Sequence, residues 1–337
     1  MASTTNPSEF DSSRAYIRRK FDGTPWFDDG REIQLLHYVY NQPNLDEIRG
    51  NPRKVLDVID EYARTKGYLM NVGPYKGKIV TDLIAEVKPE TMVELGGYVG
   101  YSAILFGNAV REAGGKRYFS LERNPEFGAV ATMLVDLAGL RDVVRVVIGR
   151  SDLSLQRLYN EGQLTHIDLL FLDHYKPAYM TDLKLCEHFG LVTPGTVLAA
   201  DNVLFPGNPP YLEYVRSSVE QKRAAAKEGA GKGYNFEGIL ERSKTQYSHR
   251  VGEEKPALDV VGNPNLVYES RLVESFEPSG EKASVCSLDH GRAISWLIHC
   301  AGRGRDHEMR GRGPGNLIPW SGLRVPWPGG RWRSCEH

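Results

Sequence analysis

Residues 91–103 read Thr-Met-Val-Glu-Leu-Gly-Gly-Tyr-Val-Gly-Tyr-Ser-Ala, and this stretch decides the fold. A short apolar strand starts at Met92 and carries Glu94 near its end, a tight turn with three glycines follows, and a helix is predicted from Tyr101. Glycine suits such a turn because it adopts positive φ readily and lets a ligand approach the backbone. In open α/β sheets, ligands bind at the carboxyl ends of the strands, where turns of this kind lie. The turn alone is weak evidence, since other glycine turns are purely structural.

Outside this stretch, predicted helices and strands alternate along the chain. Apolar residues recur with helical spacing over 33–40, 52–66 and 76–87, which predicts three N-terminal helices. Five strands with helices between them are then predicted at 92–95, 117–121, 143–148, 167–172 and 196–200. This alternation predicts an α/β fold, a Rossmann-like doubly wound and mostly parallel sheet with helices on both faces and the N-terminal helices capping the site. A later β-like run at 266–276 is expected to be an edge strand.

Composition divides the chain into three predicted parts. Residues 1–30 are polar and interrupted by proline and glycine, which predicts a flexible arm, although its aromatic residues, among them Tyr16 and Phe27, could dock on the domain. Residues 31–282 hold the α/β domain. After Lys282 no lysine follows, four of the five tryptophans occur, and glycine and proline are dense. Residues 283–337 are therefore expected to be a weakly structured or mis-translated tail rich in arginine, glycine and tryptophan.

The composition also limits the class of partner. The 337 residues carry a formal net charge of -1, so the chain has no global basic field for nucleic acid. No run approaches the roughly 18 apolar residues that a transmembrane helix needs. The N-terminal residues lack the apolar core of a secretory signal. We expect a cytoplasmic and monomeric protein that binds a small molecule and neither nucleic acid nor a membrane.

Acidic residues end four of the predicted strands, namely Glu94, Glu122, Asp173 and Asp201. The carboxyl ends of parallel strands share one edge of a sheet, and acids there are costly to desolvate unless each has a partner. An acid at the end of the second strand is suited to hydrogen-bond vicinal ribose hydroxyls. Asp173 and Asp201 with Asn202 form a hard oxygen set that suits Mg²⁺ or Ca²⁺ rather than Zn²⁺. One or two of the acids could instead be helix N-caps.

Four blocks of sequence carry a more specific signal. They read Met-Asn-Val-Gly with Lys-Gly-Lys-Ile-Val, then the glycine turn, then Phe-Leu-Asp-His-Tyr-Lys, then Gly-Thr-Val-Leu-Ala-Ala-Asp-Asn-Val with Pro-Gly, and they lie within 70–80, 94–103, 171–176 and 195–207. In order and spacing, these blocks resemble the catechol O-methyltransferase family over roughly residues 32–210. The resemblance weakens over 211–275 and is lost after Lys282. It implies S-adenosylmethionine as methyl donor, Mg²⁺ as metal and a catechol as acceptor.

The resemblance also implies a donor site. Carried over by position, it consists of Val72, Glu94, Gly96, Tyr98, Ser102, Glu122, Ser151, Asp152 and His174. Within this set, Glu122 is expected to hold the ribose. Ser151, Asp152 and His174 are expected to surround the adenine and methionine portions. Asp152 stands where the family has an amide, so its contact with adenine departs from the family pattern.

The remaining assignments concern the metal and the acceptor. The resemblance implies that Asp173, Asp201 and Asn202 hold Mg²⁺ and that Lys176 is the general base, although a salt bridge to one of the aspartates is the alternative for this lysine. The acceptor is expected to contact Tyr68, Tyr175, Lys176, Asn202, Pro206 and Glu274. Both aromatic walls are tyrosines where the family has tryptophan, which could widen the pocket. The register at Glu274 is open, because Val273 fits the same place, and the family's final strand is expected to be replaced by the tail.

Two other functions are left open by the sequence, and a third is disfavoured. The chain could methylate larger vicinal diols of the phenylpropanoid or flavonoid type. It could also bind the donor without activity, because its C-terminal sequence is altered. An NAD-dependent oxidoreductase is disfavoured, because the turn reads Gly-Gly-x-x-Gly rather than Gly-x-Gly-x-x-Gly, and because that function leaves Asp173 and Asp201 unexplained.

Overall fold

The computed structural model describes residues 10–18, 27–246, 255–280 and 293–302. The elements below belong to the compact unit Asp11–Arg303. The strands of this part of the chain are β1 Thr91–Leu95, β2 Arg117–Glu122, β3 Val144–Ile148, β4 Leu169–Leu172, β5 Val197–Asp201, β6 Leu266–Ser275 and β7 Ala293–Gly302. Its α-helices are α1 Arg31–Tyr40, α2 Leu45–Ile48, α3 Pro52–Thr65, α4 Gly73–Val87, α5 Tyr101–Glu112, α6 Pro125–Leu137, α7 Ser151–Asn160, α8 Tyr179–His188, α9 Pro209–Arg216, α10 Val219–Glu228 and α11 Glu241–Lys244.

The strands form one sheet in the order β3-β2-β1-β4-β5-β7-β6. Strands β1 to β5 are parallel, whereas β7 pairs antiparallel with both β5 and β6. The chain leaves β1 toward β2 on one side, while β4 lies on the other side of β1. The direction of winding therefore changes between β1 and β4, which is where open α/β sheets bind their ligands. The predicted doubly wound fold and the edge position of β6 are confirmed.

Alternate residues of the central strands pack into two separate layers. Met92 of β1 and Phe171 of β4 join the layer that includes helices α3 to α6. Val93 and Leu170 join the layer on the opposite face, together with α7, α8 and α9. Because both faces of the sheet are covered, the central parallel strands are apolar throughout rather than alternating.

Local sequence also explains where the N-terminal helices begin. The side chain of Asn51 accepts a hydrogen bond from the amide of Lys54 at 3.1 Å, and Pro52 occupies the first helical position of α3. Both residues are typical of helix starts. Helix α4 begins at Gly73 and buries Lys76 in its first turn, which brings a cation to the sheet. Among the described helices, none has the length and apolar character required to cross a bilayer.

The described part of the predicted N-terminal arm includes two docked aromatic side chains. Tyr16 and Phe27 are both buried. The hydroxyl of Tyr16 donates to the carboxylate of Asp60, and its amide donates to the carbonyl of Pro278 at 3.0 Å. Residues 1–9 and 19–26 lie outside the described residues, and the flexibility predicted for the arm stays a prediction.

Strand β7 corrects the expectation that no final strand forms. It lies inside the predicted tail, and its backbone pairs Val197 with His299 and Asp201 with Ser295. The segment reads Ala-Ile-Ser-Trp-Leu-Ile-His-Cys-Ala-Gly, and its isoleucine and tryptophan residues favour strands. Arginine and glycine are frequent around this run, so the composition of the segment did not indicate a strand. Residues 283–292 and 303–337 lie outside the described residues, so the prediction for them is untested.

Replacing Leu297 by proline tests whether β7 is integral to the sheet. Leu297 is paired with Ala199 on one side and with Arg271 on the other. Proline removes a backbone donor and is poorly accommodated in a central strand, so we expect Leu297→Pro to lower the free energy of unfolding by roughly 3 kcal/mol or more. Leu297→Val keeps the amide and is the matched control. Urea unfolding followed by circular dichroism measures both variants, and equal midpoints contradict the placement of β7.

Candidate active site

The glycine turn brings the ends of β1 and β4 together. Gly96 has φ +97°, and a Cβ at this position would lie 2.4 Å from the carbonyl oxygen of Asp173. Any other residue would therefore force the two strand ends apart. Gly100, with φ +88°, immediately precedes α5 and approaches the backbone of Ala131 in the same way. The turn is thus required by close packing at the point where the winding of the sheet changes.

Glu94 is fully buried in β1. Its Oε2 accepts a hydrogen bond from the hydroxyl of Ser120 at 2.6 Å, whereas Oε1 has no hydrogen-bond partner among the described residues. Burial raises the pKa of Glu94 to about 7, although hydrogen bonds from Ser102 and Ser120 oppose that rise. A buried acceptor without a partner is costly, so this oxygen suits a cationic or hydrogen-bond-donating group of a ligand.

Glu122 ends β2 and is held by backbone amides. Its Oε2 accepts from the amide of Tyr98 and its Oε1 from the amide of Asn124, both at 2.7 Å. Burial raises the pKa of Glu122 to about 7, against the lowering effect of these hydrogen bonds. Tyr98 itself has a positive φ of 44°, and its hydroxyl donates to Glu32 at 2.7 Å. The carboxylate is thus fixed in orientation by the turn that follows β1.

A cleft lies along the carboxyl ends of β1 to β4. It is lined by Gly96, Leu121, Glu122, Arg123, Arg150, Ser151, Asp152, His174, Tyr175, Ala178 and Tyr234. Five of the nine predicted donor-site residues are in this lining, and so is Tyr175, which was predicted as an acceptor wall. The four donor-site residues outside the lining are buried or half-buried near the first turn of α4 and the glycine turn, namely Val72, Glu94, Tyr98 and Ser102.

Asp152 lines the cleft, but other protein groups occupy its carboxylate. Its Oδ2 contacts Arg150 at 2.7 Å and accepts a hydrogen bond from the amide of Ala257 at 2.7 Å. Its Oδ1 accepts from the amide of Leu153 at 2.8 Å. The guanidinium of Arg150 also donates to the carbonyl of Lys255 at 2.6 Å. The residue that departs from the family pattern therefore anchors a distant stretch of chain beside the cleft.

The side chain of His174 is 8% exposed and is held by hydrogen bonding at one ring nitrogen only. Its Nε2 lies 2.9 Å from Oδ2 of Asp182, and its ring stacks on Tyr179 with centroids 4.8 Å apart. Its Nδ1 has no hydrogen-bond partner among the described residues. Since His174 lines the cleft, this nitrogen is a second buried polar atom that a ligand could satisfy.

The predicted metal ligands meet at the carboxyl ends of β4 and β5. Oδ2 of Asp201 accepts from Nζ of Lys76 at 2.5 Å, and its Oδ1 accepts from the amide of Asn202 at 2.9 Å. Burial lowers the pKa of Lys76, but the carboxylates of Asp201 and Glu277 outweigh that effect, so its pKa lies above the ordinary value. The described residues contain no cluster of three or more acidic, histidine or cysteine side chains suited to a metal, and this set offers two carboxylates and an amide.

Asp173, which belongs to the same oxygen set, lies next to Lys176. Burial raises the pKa of Asp173 to about 7, and the neighbouring charge of Asp201 raises it further, while Lys176 opposes the rise. Nζ of Lys176 lies 3.4 Å from Oδ1 of Asp173 and donates to the hydroxyl of Tyr179 at 2.5 Å and to the Asp201 carbonyl at 3.3 Å. The predicted alternative, a salt bridge from Lys176 to an aspartate, is thus present as a long contact.

Glu277, rather than Glu274, is the late glutamate that the structure brings to this set. Glu274 is exposed on β6. Glu277 lies just beyond β6, where it contacts Lys76 at 3.0 Å and accepts from Nδ2 of Asn202 at 3.0 Å. The sequence left the register at Glu274 open, and the chain leaves the strand after Ser275 and turns toward α4. Of the other expected acceptor contacts, Tyr68 and Pro206 are half-buried, the latter within the π-helical turn Val203–Gly207.

The sequence profile of the O-methyltransferase family Methyltransf_3 matches residues 50–221, which is half of the chain. The chain belongs to this O-methyltransferase family. The chain is similar to the catechol O-methyltransferase of Bos taurus, with 40% identity over 188 residues that cover 56% of this chain and 67% of the relative. That of Mus musculus is 41% identical over 188 residues, 56% of this chain and 69% of the relative. The solved O-methyltransferase from Bacillus cereus in complex with SAH is 17% identical, with a TM-score of 0.46, and the match covers 80% of this chain and 97% of that one.

Four residues of this O-methyltransferase were missed by sequence reasoning, namely Lys76, Arg150, Tyr234 and Glu277. Only Lys76 carried a usable signal. It lies four and seven residues before Val80 and Leu83 on the buried face of α4, and a lysine on such a face requires an anionic partner. The other three depend on contacts between segments far apart in sequence, such as the 105 residues that separate Arg150 from Lys255.

The raised pKa of Glu94 predicts a pH-dependent stability. Its pKa is about 7 in the folded chain and near 4.5 in the unfolded chain. Glu94 therefore contributes stability that is fully present below pH 4.5 and is lost as the pH rises through 7. Glu94→Gln removes this titration. One pKa unit corresponds to about 1.36 kcal/mol. We therefore expect the free energy of unfolding of Glu94→Gln, relative to that of the wild type, to rise by roughly 3 kcal/mol from about pH 4.5 to pH 8.

Urea unfolding at several pH values between these limits measures the difference. Glu126→Gln, at an exposed position in the first turn of α6, is the control and should follow the wild type. A difference between Glu94→Gln and the wild type that stays constant with pH contradicts the shifted pKa.

Proposed function

We propose that this O-methyltransferase transfers the methyl group of S-adenosylmethionine to one hydroxyl of a catechol, assisted by Mg²⁺. One observation supports this proposal most strongly. Asp173 and His174 are consecutive, yet Asp173 belongs to the oxygen set with Asp201, and His174 lines the cleft. A donor in the cleft and an acceptor at the oxygen set would therefore meet at one strand end, which is the arrangement that methyl transfer requires.

The buried polar groups fit the proposed donor. S-adenosylmethionine supplies a methyl group on a sulfonium, together with an ammonium and two vicinal ribose hydroxyls. The Oε1 of Glu94 lacks a partner among the described residues and suits the ammonium. Each carboxylate oxygen of Glu122 accepts one backbone hydrogen bond and has a further lone pair for a hydroxyl. We assign the methionine end to Glu94 and the ribose to Glu122.

The oxygen set fits the proposed metal. Mg²⁺, when bound, favours the ionised form of an oxygen that it coordinates. Asp173 and Asp201 lie close enough for the charge of Asp201 to raise the pKa of Asp173, which is the repulsion that a divalent cation relieves. Asn202 donates through Nδ2 to Glu277, which leaves its amide oxygen for coordination. We assign these three residues as the ligands.

Lys176 is proposed as the general base for the acceptor hydroxyl. Its side chain is buried, and Nζ is held at the oxygen set by the hydroxyl of Tyr179 and the carbonyl of Asp201. These two contacts keep the amine in place independently of its longer contact with Asp173. Lys176 can therefore stay at the acceptor while Asp173 serves as a metal ligand, and it can receive the proton that leaves the hydroxyl.

The acceptor side has two candidate occupants. We assign the second hydroxyl of a catechol to Glu277, because this carboxylate is fixed by Asn202 and Lys76 at the oxygen set. Larger vicinal diols are the second candidate, since Tyr175 lines the donor cleft and its hydroxyl donates to the carbonyl of Lys244 at 2.8 Å, which leaves the acceptor side less enclosed. Comparing kcat/KM for catechol and for caffeoyl-type diols distinguishes the two. The enzyme is expected to act as a cytoplasmic monomer.

Removing Asp173 tests the metal assignment. We expect the wild-type chain to transfer labelled methyl from S-adenosylmethionine to catechol with Mg²⁺ and to lose this activity in EDTA. Asp173→Asn should lose at least about a hundredfold of the Mg²⁺-dependent rate, because a coordinating carboxylate is removed. Asp82→Asn, on the exposed face of α4, should keep the wild-type rate. Undiminished Mg²⁺-dependent turnover in Asp173→Asn would show that the metal assignment is wrong.

Lys176→Met tests the base separately from binding. Methionine preserves much of the buried volume but cannot accept a proton. General-base catalysis typically contributes about 10²–10⁴-fold, so we expect kcat to fall by that order while KM for S-adenosylmethionine changes little. Lys184→Met is the control, because Lys184 lies in the nearby helix α8 and does not line the cleft. A fall in donor affinity with unchanged kcat contradicts the role as base.

A further inference from the structure

Tyr234 is the one lining residue of the cleft that lies outside the family match. The other ten fall within residues 50–221, whereas Tyr234 comes from the stretch between α10 and α11. Most residues of this stretch are exposed. Tyr234 is half-buried instead, because its ring faces the cleft. The protein thus adds an aromatic wall that the matched family region does not supply.

Several contacts hold this ring in place. It packs edge-to-face on Tyr175, with centroids 5.7 Å apart and planes at 79°. The amide of the preceding residue, Gly233, donates to Oδ1 of Asp259 at 3.2 Å. Ile239 is buried and fixes the chain a few residues later. The hydroxyl of Tyr175 donates to the carbonyl of Lys244 in α11, which ties the helix after this stretch to the chain just beyond β4. An aromatic ring supported from both ends of its segment is a preorganised binding surface.

The composition of the lining shows which part of a donor Tyr234 would meet. The cleft includes Glu122, assigned above to the ribose, and Ser151 and Asp152 at the start of α7. Glu94, assigned above to the methionine end, is not in the lining. The cleft is therefore the nucleoside half of the donor site. A purine ring is flat and has an extended π-face, so an aromatic wall is complementary to it.

We propose that Tyr234 is a donor-binding residue whose ring forms the wall of the adenine subsite. This inference rests on the proposed function, since it assumes an adenosyl donor in the cleft. It also accounts for Asp152. The carboxylate of Asp152 binds Arg150 and the amide of Ala257 rather than remaining free for adenine, and the aromatic wall supplies the contact with the base instead. Recognition of adenine in this chain thus depends more on ring contact than on a side-chain amide.

Isothermal titration calorimetry of the full chain with S-adenosylhomocysteine tests the proposal. Three substitutions separate the ring from its volume and from its hydroxyl. Tyr234→Phe keeps the ring and should bind within about twofold of the wild type, whereas Tyr234→Leu and Tyr234→Ala should each weaken binding by about tenfold, in the range that base–aromatic contacts supply. Leu240→Ala is the matched control, because Leu240 is exposed in the same segment and is not in the lining.

A second ligand locates the contact. Methylthioadenosine lacks the amino-acid portion, so its affinity should fall by the same factor as that of S-adenosylhomocysteine in Tyr234→Leu if the ring meets the adenosyl portion. Thermal unfolding of each variant without ligand should match that of Leu240→Ala, because Tyr234 is only half-buried. A purely structural role would lower the unfolding temperature and would not distinguish phenylalanine from leucine in binding.

The outcomes are distinct. Wild-type affinity in Tyr234→Leu overturns the inference while leaving the proposed function intact. So does an unchanged donor affinity combined with a raised KM for catechol, which would place the ring at the acceptor. If the wild-type chain binds neither ligand, the proposed donor is wrong and the inference fails with it. Loss of affinity for both ligands in leucine and alanine, with retention in phenylalanine, supports the inference.

Discussion

The compensation of buried negative charge at one edge of the sheet is the constraint on which this structure depends. Carboxylates buried without partners cost several kcal/mol each, so a fold that gathers them at one edge must supply partners from elsewhere. Lys76 of α4 does so for Asp201 and Glu277, while Ser120 of β2 and the amide of Tyr98 do so for Glu94 and Glu122. The contacts that form the site are therefore also contacts that join the sheet to its surrounding elements.

The sequence predicted the parallel core well because its information is local. Apolar runs such as those around Val93 and Leu170 are required wherever both faces of a strand are covered, and the topology then forces the acids that end the strands to one edge. The sequence could not place Glu277, because its position depends on β6, and β6 in turn depends on pairing with β7. Tyr234 was equally hidden, since a single tyrosine among glycine and charged residues has no local signature of a cleft wall.

The two halves of the site also differ in where their residues originate. The strand ends and the glycine turn lie within the region matched by the family, residues 50–221. Glu277 and Tyr234 lie beyond it, and each contacts a side chain within that region, Asn202 in one case and Tyr175 in the other. The strand ends and the glycine turn are thus family features, whereas two side chains that contact them come from the later segments of this chain.

The place of β7 in the sheet has a consequence for synthesis. Among the strands that the structure describes, β7 is the last to be translated, yet it occupies an interior position between β5 and β6. While the ribosome is still translating the segment after β6, the outer edge of β5 has no strand to pair with, and unpaired edges are templates for association between nascent chains. The strand that carries Asp201 therefore keeps one unpaired edge until β7 has been synthesised.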